Sequence, residues 1–347
     1  MDASMDASMD ASMDASMDAS AWLAMPHQVR QQVARWQADP ACARSLAVET
    51  LPQYTGEPVF ALTITDPDVP REAKRALWCC VPHAHEPAGT AACMDVAHQL
   101  LTGHDLRGRP APHDVSALLR KVVVTLNPDA NPGGRCWAPV LWWDGSRYSN
   151  EELWQWMRGV DPETGGMWQR LARWSLRERS PLRRGIVYEQ LNAHEFVEPN
   201  RDPGSSLVRL FHRLDARYRF DRSLHLHQTE FVGSDRNCFA GLPVRYAELP
   251  PAMQGRNRAW AEAIIRAWTA LGPEVAAPRP EPRGFSYPND PQTVAWFTAC
   301  WGDAQERMPD LLVEVQNNSP RTPPEHQLRL AATALWCSIE GAAAEAP

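Results

Sequence analysis

The stretch Ala76-Leu77-Trp78-Cys79-Cys80-Val81-Pro82-His83-Ala84-His85-Glu86-Pro87-Ala88-Gly89 decides how this sequence is read. Residues 76–81 are apolar without polar alternation, which predicts a strand covered on both faces. Pro82 ends it, and two imidazoles and a carboxylate follow within four residues. Small residues then open a buried helix over residues 88–101, carrying Cys93, Val96, His98, Leu100 and Leu101. Strand, loop, helix, strand is the grammar of an α/β fold with a mixed or parallel sheet covered on both faces. In such sheets ligands bind at the carboxyl ends of strands, so the turn after residue 81 is the first candidate site.

Working outward, residues 60–64, 121–126 and 311–315 are further apolar, β-branched-rich runs bounded by Pro, Asn or charge, and each predicts a strand. Val29, Val33 and Trp36, at i, i+4 and i+7, predict an amphipathic helix over residues 26–38 that Pro40 ends. Seven tryptophans (137, 142, 143, 154, 156, 168 and 174) crowd the segment after Cys136. They are read as core and helix packing, with a pocket wall as the other reading. Prolines 273, 278, 280, 282, 288 and 291 predict a long surface loop that overhangs the site. The first 20 residues are Met-Asp-Ala-Ser repeated five times, read as a disordered tail, and residues 341–347 read as a flexible end.

The chain has 347 residues, 44% of them hydrophobic and 22% charged, enough for one large globular domain or two smaller ones. Its net charge is −7, but five Asp of the repeat account for most of that, leaving about −2 elsewhere. That near balance argues against a nucleic-acid or membrane-surface partner. No run approaches the roughly 18 apolar residues of a membrane span, and no signal-peptide pattern opens the chain, so a cytoplasmic location is expected. The eight cysteines are scattered, with no Cys-x-x-Cys pair, and read as reduced thiols rather than a disulfide framework or a zinc-thiolate site.

Two further segments carry chemistry. Ser223-Leu224-His225-Leu226-His227-Gln228-Thr229-Glu230 alternates polar and apolar, so as a strand it presents His225 and His227 on one side. Glu314 interrupts the apolar run of residues 311–315; a carboxylate there is costly to bury unless paired or functional, which makes it a candidate general base. His83, His85 and Glu86, joined by one or both of His225 and His227, offer a donor set suited to a catalytic metal. His85 and His225 read either as groups that orient such ligands or as ordinary turn and strand residues; His104 and His113 read as surface residues. No Gly-x-Ser-x-Gly, His-Glu-x-x-His, phosphate loop or Gly-x-Gly-x-x-Gly is present.

Five motifs stand in a familiar order: His83-Ala84-His85-Glu86-Pro87-Ala88-Gly89, Leu126-Asn127-Pro128-Asp129, Pro199-Asn200-Arg201-Asp202, Leu226-His227-Gln228-Thr229 and Leu312-Val313-Glu314-Val315. Between about residues 51 and 323 the chain resembles zinc carboxypeptidases of the carboxypeptidase A type, a superfamily that also contains the aspartoacylase and succinylglutamate desuccinylase amidohydrolases. The resemblance implies a carboxypeptidase A-like catalytic domain over residues 21–340, three-layered α/β/α around a central mixed, mostly parallel sheet, with a Trp-rich insertion at about 136–198. It implies a Zn2+ ion held by His83, Glu86 and His227, and Glu314 as the catalytic base. It implies Asn200 and Arg201 as the holders of a substrate carboxylate, Arg135 as the group that polarises the scissile carbonyl, and Tyr287 as a substrate cap. The implied function is hydrolysis of an amide bond beside a free carboxylate in a peptide or an N-acyl amino acid: a metallocarboxypeptidase, alternatively a deacylase, and failing both a binding protein without turnover. The family's usual Asn-Pro-Asp-Gly is Asn127-Pro128-Asp129-Ala130 here.

Overall fold

A computed structural model describes residues 21–284 and 291–345. The chain enters through the predicted helix Pro26–Ala38 and the turn of helix Pro40–Ala43, then forms an antiparallel pair, β1 (Leu46–Pro52) and β2 (Pro58–Ile64). β3 (Arg75–Cys80), helix Pro87–Thr102 and β4 (Val122–Asn127) follow. The Trp-rich segment carries five short strands, β5 (Gly159–Val160), β6 (Arg173–Ser175), β7 (Arg183–Arg184), β8 (Glu189–Gln190) and β9 (Glu195–Val197). Helix Ser206–Tyr218 leads into β10 (Arg222–Thr229) and β11 (Cys238–Leu242). Helix Pro251–Thr269, β12 (Arg283–Gly284), helix Pro291–Arg307, β13 (Asp310–Gln316) and helix Pro324–Ala344 complete the order.

Eight strands form one sheet in the order β1-β2-β4-β3-β10-β13-β11-β12. The four at its centre, β4, β3, β10 and β13, are parallel, β1 and β2 run against their neighbours, and β11 runs against β13 but parallel to β12. Every residue of β4 is buried, as a central parallel strand between helical layers requires. Alternation sorts β3: Leu77 and Cys79 join the core under helices Pro87–Thr102, Pro251–Thr269 and Pro324–Ala344, while Ala76, Trp78 and Cys80 pack against helices Ser206–Tyr218 and Pro291–Arg307. The four strands expected from apolar runs are β2, β3, β4 and β13, and the expected mixed, mostly parallel α/β/α sheet is the one observed.

The Trp-rich segment has its own small core, in which Trp168, Trp174, Tyr188 and Phe196 are buried and the Trp174 and Phe196 rings stack 4.3 Å apart. One close backbone approach seats it on the domain and another ties it together: a Cβ on Gly134 would fall 2.1 Å from the Ile186 carbonyl oxygen, and, within the segment, one on Gly185 would fall 2.2 Å from the Arg158 carbonyl carbon. Asn131 Nδ2 adds hydrogen bonds to the Ile186 and Val187 carbonyls at 3.0 and 3.1 Å.

At the far end, the helix Pro324–Ala344 runs through residues 341–344, which were expected to be a flexible end. A Cβ on Gly341 would fall 2.9 Å from Arg222 Nη1, and Arg222 pairs with Glu345, so side-chain packing and charge hold this turn in place. Residues 1–20 and Tyr287 lie outside the described residues.

Asp129, in the turn after β4, is buried and accepts the Asn131 N–H at 3.0 Å. Burial lifts its carboxyl to about 7, against the pull of that N–H and of the Arg135 guanidinium. A raised folded-state value means stability that is full below the unfolded value near 3.8 and is lost as pH rises through about 7. Urea unfolding should therefore show stability falling between pH 4 and 7, by up to ~4 kcal/mol from this group. Asp129→Asn should flatten that slope; an unchanged slope would refute the assignment to Asp129.

Candidate active site

Three neighbouring parallel strands end on one edge of the sheet, and each delivers part of the site. The turn after β3 carries His83, His85 and Glu86. β10 carries His227 near its end, and the ladder pairs His227 directly with Glu314 on β13. Leu224 and Leu226 belong to the core on one face, so alternation sends His225, His227 and Glu314 to the other. The helix after the turn is drawn close: a Cβ on Gly89 would meet Val81 at 2.9 Å and Leu226 at 3.1 Å, and Ala88 N–H donates to Gln228 Oε1 at 2.9 Å.

Glu86 is the centre of the cluster. Its carboxylate lies 3.0 Å from His83 Nδ1, 3.1 Å from His227 Nδ1 and 3.5 Å from His85 Nε2. His83, His85 and Glu86 place one ligand atom each within 4.8 Å of one another. His83 turns its other nitrogen, Nε2, to Glu198 Oε1 and Asn200 Oδ1, both at 3.1 Å. Two acceptors there favour a proton on Nε2 and turn Nδ1 towards Glu86, the ring orientation a metal ligand needs.

The donor set fits a zinc ion. Ligand atoms about 2.1 Å from a tetrahedral metal stand roughly 3.3 Å apart, close to the spacings of His83 and His227 to Glu86. Burial holds His85 down to about 3 and lowers His227, so both imidazoles are neutral and ligand-competent. His83, buried between Glu86 and Glu198, is instead raised to about 9, which marks a place where positive charge is stabilised. His85, left open by the sequence, thus faces the same carboxylate as the two expected histidines. His225 is turned away to Ser223 Oγ at 3.1 Å and Asp310 Oδ1 at 3.2 Å.

A cavity of about 270 Å3 opens over this cluster, and Glu314, Asn200 and Arg201 line it with the histidines. Glu314 Oε2 is buried without a hydrogen-bond partner. Burial first, and then the Glu86 and Glu230 carboxylates, push its carboxyl well above the usual range, with His83 opposing. Such a group is poised to take a proton. The Trp-rich segment supplies Trp154, Met157, Arg158, Met167 and Arg170 to the same cavity, so it serves both readings of its tryptophans, as a core and as a wall.

Arg135 does not line the cavity. Its guanidinium, 1% exposed, donates to the Ala24 carbonyl at 3.2 Å and the Leu141 carbonyl at 2.5 Å, which ties the entering chain to the turn after β4. The arginines that do line the cavity are Arg158, Arg170 and Arg201, and of these Arg170 pairs with Glu198 through Nε at 2.9 Å. Glu198 is fully buried and also meets Arg201 Nε at 3.0 Å; burial opposes its charge, yet Arg170 and Arg201 hold it well below the usual carboxylate range. The sequence reading missed both residues. Glu198, two positions before Asn200, had a visible signal as a charge beside an apolar Phe196-Val197 pair.

The zinc carboxypeptidase family model matches residues 52–183, which include His83 and Glu86 but end before His227 and Glu314. No curated protein matches the sequence. Among solved structures the fold is similar to a metallo-carboxypeptidase from Burkholderia cenocepacia, at 15% identity over 90% of this chain and 68% of that one, with a TM-score of 0.54. It is similar to bovine thrombin-activatable fibrinolysis inhibitor, solved with tick carboxypeptidase inhibitor, at 11% identity over 94% and 99%, with a TM-score of 0.57. A metallo-carboxypeptidase from Pseudomonas aeruginosa, in complex with (2-guanidinoethylmercapto)succinic acid, matches at 14% identity over 90% and 68%, with a TM-score of 0.52.

Two substitutions test the donor set by metal analysis of purified protein. His227→Ala should lose most of its zinc, while Glu314→Gln should retain it; full zinc occupancy in His227→Ala would remove His227 from the ligands. Glu198→Ala should lower stability by about 3–5 kcal/mol in thermal or urea unfolding, because two guanidiniums lose their buried partner. The fold is thus similar to that of the metallo-carboxypeptidases, and residues 52–183 match the zinc carboxypeptidase family model.

Proposed function

We propose that the chain is an exopeptidase that hydrolyses the amide bond next to a free carboxylate, releasing the C-terminal residue of a short peptide or peptide-like metabolite. The observation that carries this reading is Glu314: a half-buried carboxylate whose Oε2 is buried without a hydrogen-bond partner, in the same cavity wall as His83, Glu86 and His227. Zinc bound by these three residues would polarise water and lower its pKa towards about 7.

The chain's own residues do the rest. Glu314 takes the proton from the attacking water and returns it to the departing amine, a role its raised affinity for protons supports. Arg170 offers the guanidinium that faces developing negative charge on the amide oxygen, in the place expected of Arg135. Arg201 lies with its Cζ 5.2 Å from the Trp296 ring centroid and 5.6 Å from that of Phe297, and with Asn200 it holds the substrate carboxylate. Trp301 Nε1 fixes that segment by donating to the Asn200 carbonyl at 3.1 Å.

A cytoplasmic location goes with this reading, supported by eight free thiols, six of them buried. No helix among the described residues is long and apolar enough to cross a membrane.

The test is mass spectrometry of a mixed pool of short peptides and N-acyl amino acids incubated with the zinc-loaded chain, using Glu314→Gln as the blank. Shortened peptides are expected; acyl release with intact peptides would establish a deacylase instead. Arg170→Ala should lower kcat by about 10²–10³-fold. Arg201→Ala should raise KM for free acids and leave C-terminally amidated substrates little changed; equal effects on both would sink the carboxylate clamp.

A further inference from the structure

A second cavity, of about 330 Å3, opens beside the first and shares Thr229, Glu230 and Glu314 with it. Its far wall is built on Phe239. That residue pairs with Glu314 across the antiparallel ladder of β11 and β13, so the two side chains leave the same face of the sheet. Arg279 and Arg283 also line this cavity, each with its Cζ 5.8 Å from the Phe239 ring centroid.

The backbone holds both arginines in place. Asn237 Nδ2 donates to the Val275 carbonyl at 2.9 Å and Asn237 Oδ1 accepts the Ala277 N–H at 2.8 Å. Arg279 N–H donates to the Cys238 carbonyl at 3.0 Å, and Arg283 pairs with Gly241 in the ladder. Among the described residues neither guanidinium has a carboxylate partner, and Arg279 Nε is buried without a hydrogen bond. Half-buried Arg279 and exposed Arg283 put two guanidiniums over an aromatic ring in a cavity whose opposite border carries Glu230 and Glu314; the planar guanidinium fork matches a carboxylate in particular.

We infer that this cavity receives a second carboxylate of the substrate, so that the residue on the leaving side of the scissile amide is acidic, of the aspartate or glutamate class. The inference rests on the exopeptidase reading for the position of the amide. Glu314 borders both cavities, so a leaving residue whose amide lies beside it and whose α-carboxylate is held by Asn200 and Arg201 can turn its side chain into the arginine-lined chamber. The same dicarboxylate chemistry arises from a peptide ending in an acidic residue and from an N-acyl acidic amino acid.

Calorimetric titration of the zinc-loaded full chain with glutarate and with glutaramate, which lacks one negative charge, tests the receptor without turnover. Glutarate should bind at least tenfold more tightly, and the gap should close in the Arg279→Gln, Arg283→Gln double variant. Equal affinities in the unmodified chain, or a gap that survives the double substitution, would overturn the inference. Kinetics separates the two sources: kcat/KM for C-terminal Glu over C-terminal Gln, and for N-acyl-Glu over N-acyl-Gln, should favour the acid tenfold or more in whichever class is cleaved. A binding gap with no hydrolysis of either class would keep the arginine receptor and reject the exopeptidase reading.

Discussion

The Glu86 carboxylate, 3% exposed and facing the imidazoles of His83, His85 and His227, is the contact on which the rest of the site depends. A lone carboxylate buried at that depth is strongly unfavourable, and so is a group of three buried imidazoles if they must share protons. Each resolves the other's problem, and a divalent cation between them resolves both more completely. The surrounding charges follow the same logic. Glu198 backs His83 from the opposite side, and Arg170 and Arg201 balance Glu198, so alternating signs run outward from the cluster to the cavity wall.

That arrangement is possible because three consecutive ligand-bearing segments share one edge of a parallel sheet. In parallel strands the carboxyl ends lie together, and the β10/β13 register makes His227 and Glu314 direct neighbours although 87 positions of sequence separate them. A one-residue slip of β13 would send Glu314 into the helix-covered core on the other face. Leu311, Val313 and Val315 are what forbid the slip, since their burial in that core fixes the register that puts Glu314 in the cavity.

The sequence made this centre legible because its residues are local or periodic. His83 and Glu86 sit within four positions, the alternation of residues 223–230 sets the face of His227, and a single charge in an apolar run marks Glu314. The amphipathic helix Pro26–Ala38 was legible for the same reason. What sequence could not show is pairing over distance. β1 and β11 escaped notice because Leu46–Pro52 is a half-exposed edge strand and Cys238–Leu242 contains Gly241, where a Cβ would meet Leu312 at 2.7 Å. Arg135 and Arg170 carry the same chemistry in sequence, and only the turn after β4 decides that one is used on the Ala24 and Leu141 carbonyls while the other reaches the cavity.

The charge pattern of the two cavities also separates binding from chemistry. Around the Glu86 cluster, cations are already neutralised by Glu198, so the carboxylates keep their excess and Glu314 keeps its high proton affinity. On the Phe239 side, Arg279 and Arg283 join Glu230 and Glu314 in the wall, and neither guanidinium has a carboxylate partner among the described residues. Placing unpaired arginines directly beside Glu314 would pull its carboxyl down and weaken it as a base. With Phe239 beside Glu314 in the ladder and both guanidiniums over that ring, one substrate can meet a base at its amide and a positive field at its end. The backbone that keeps this spacing is the Asn237 bridge to residues 275 and 277, which ties the Pro-rich segment to β11.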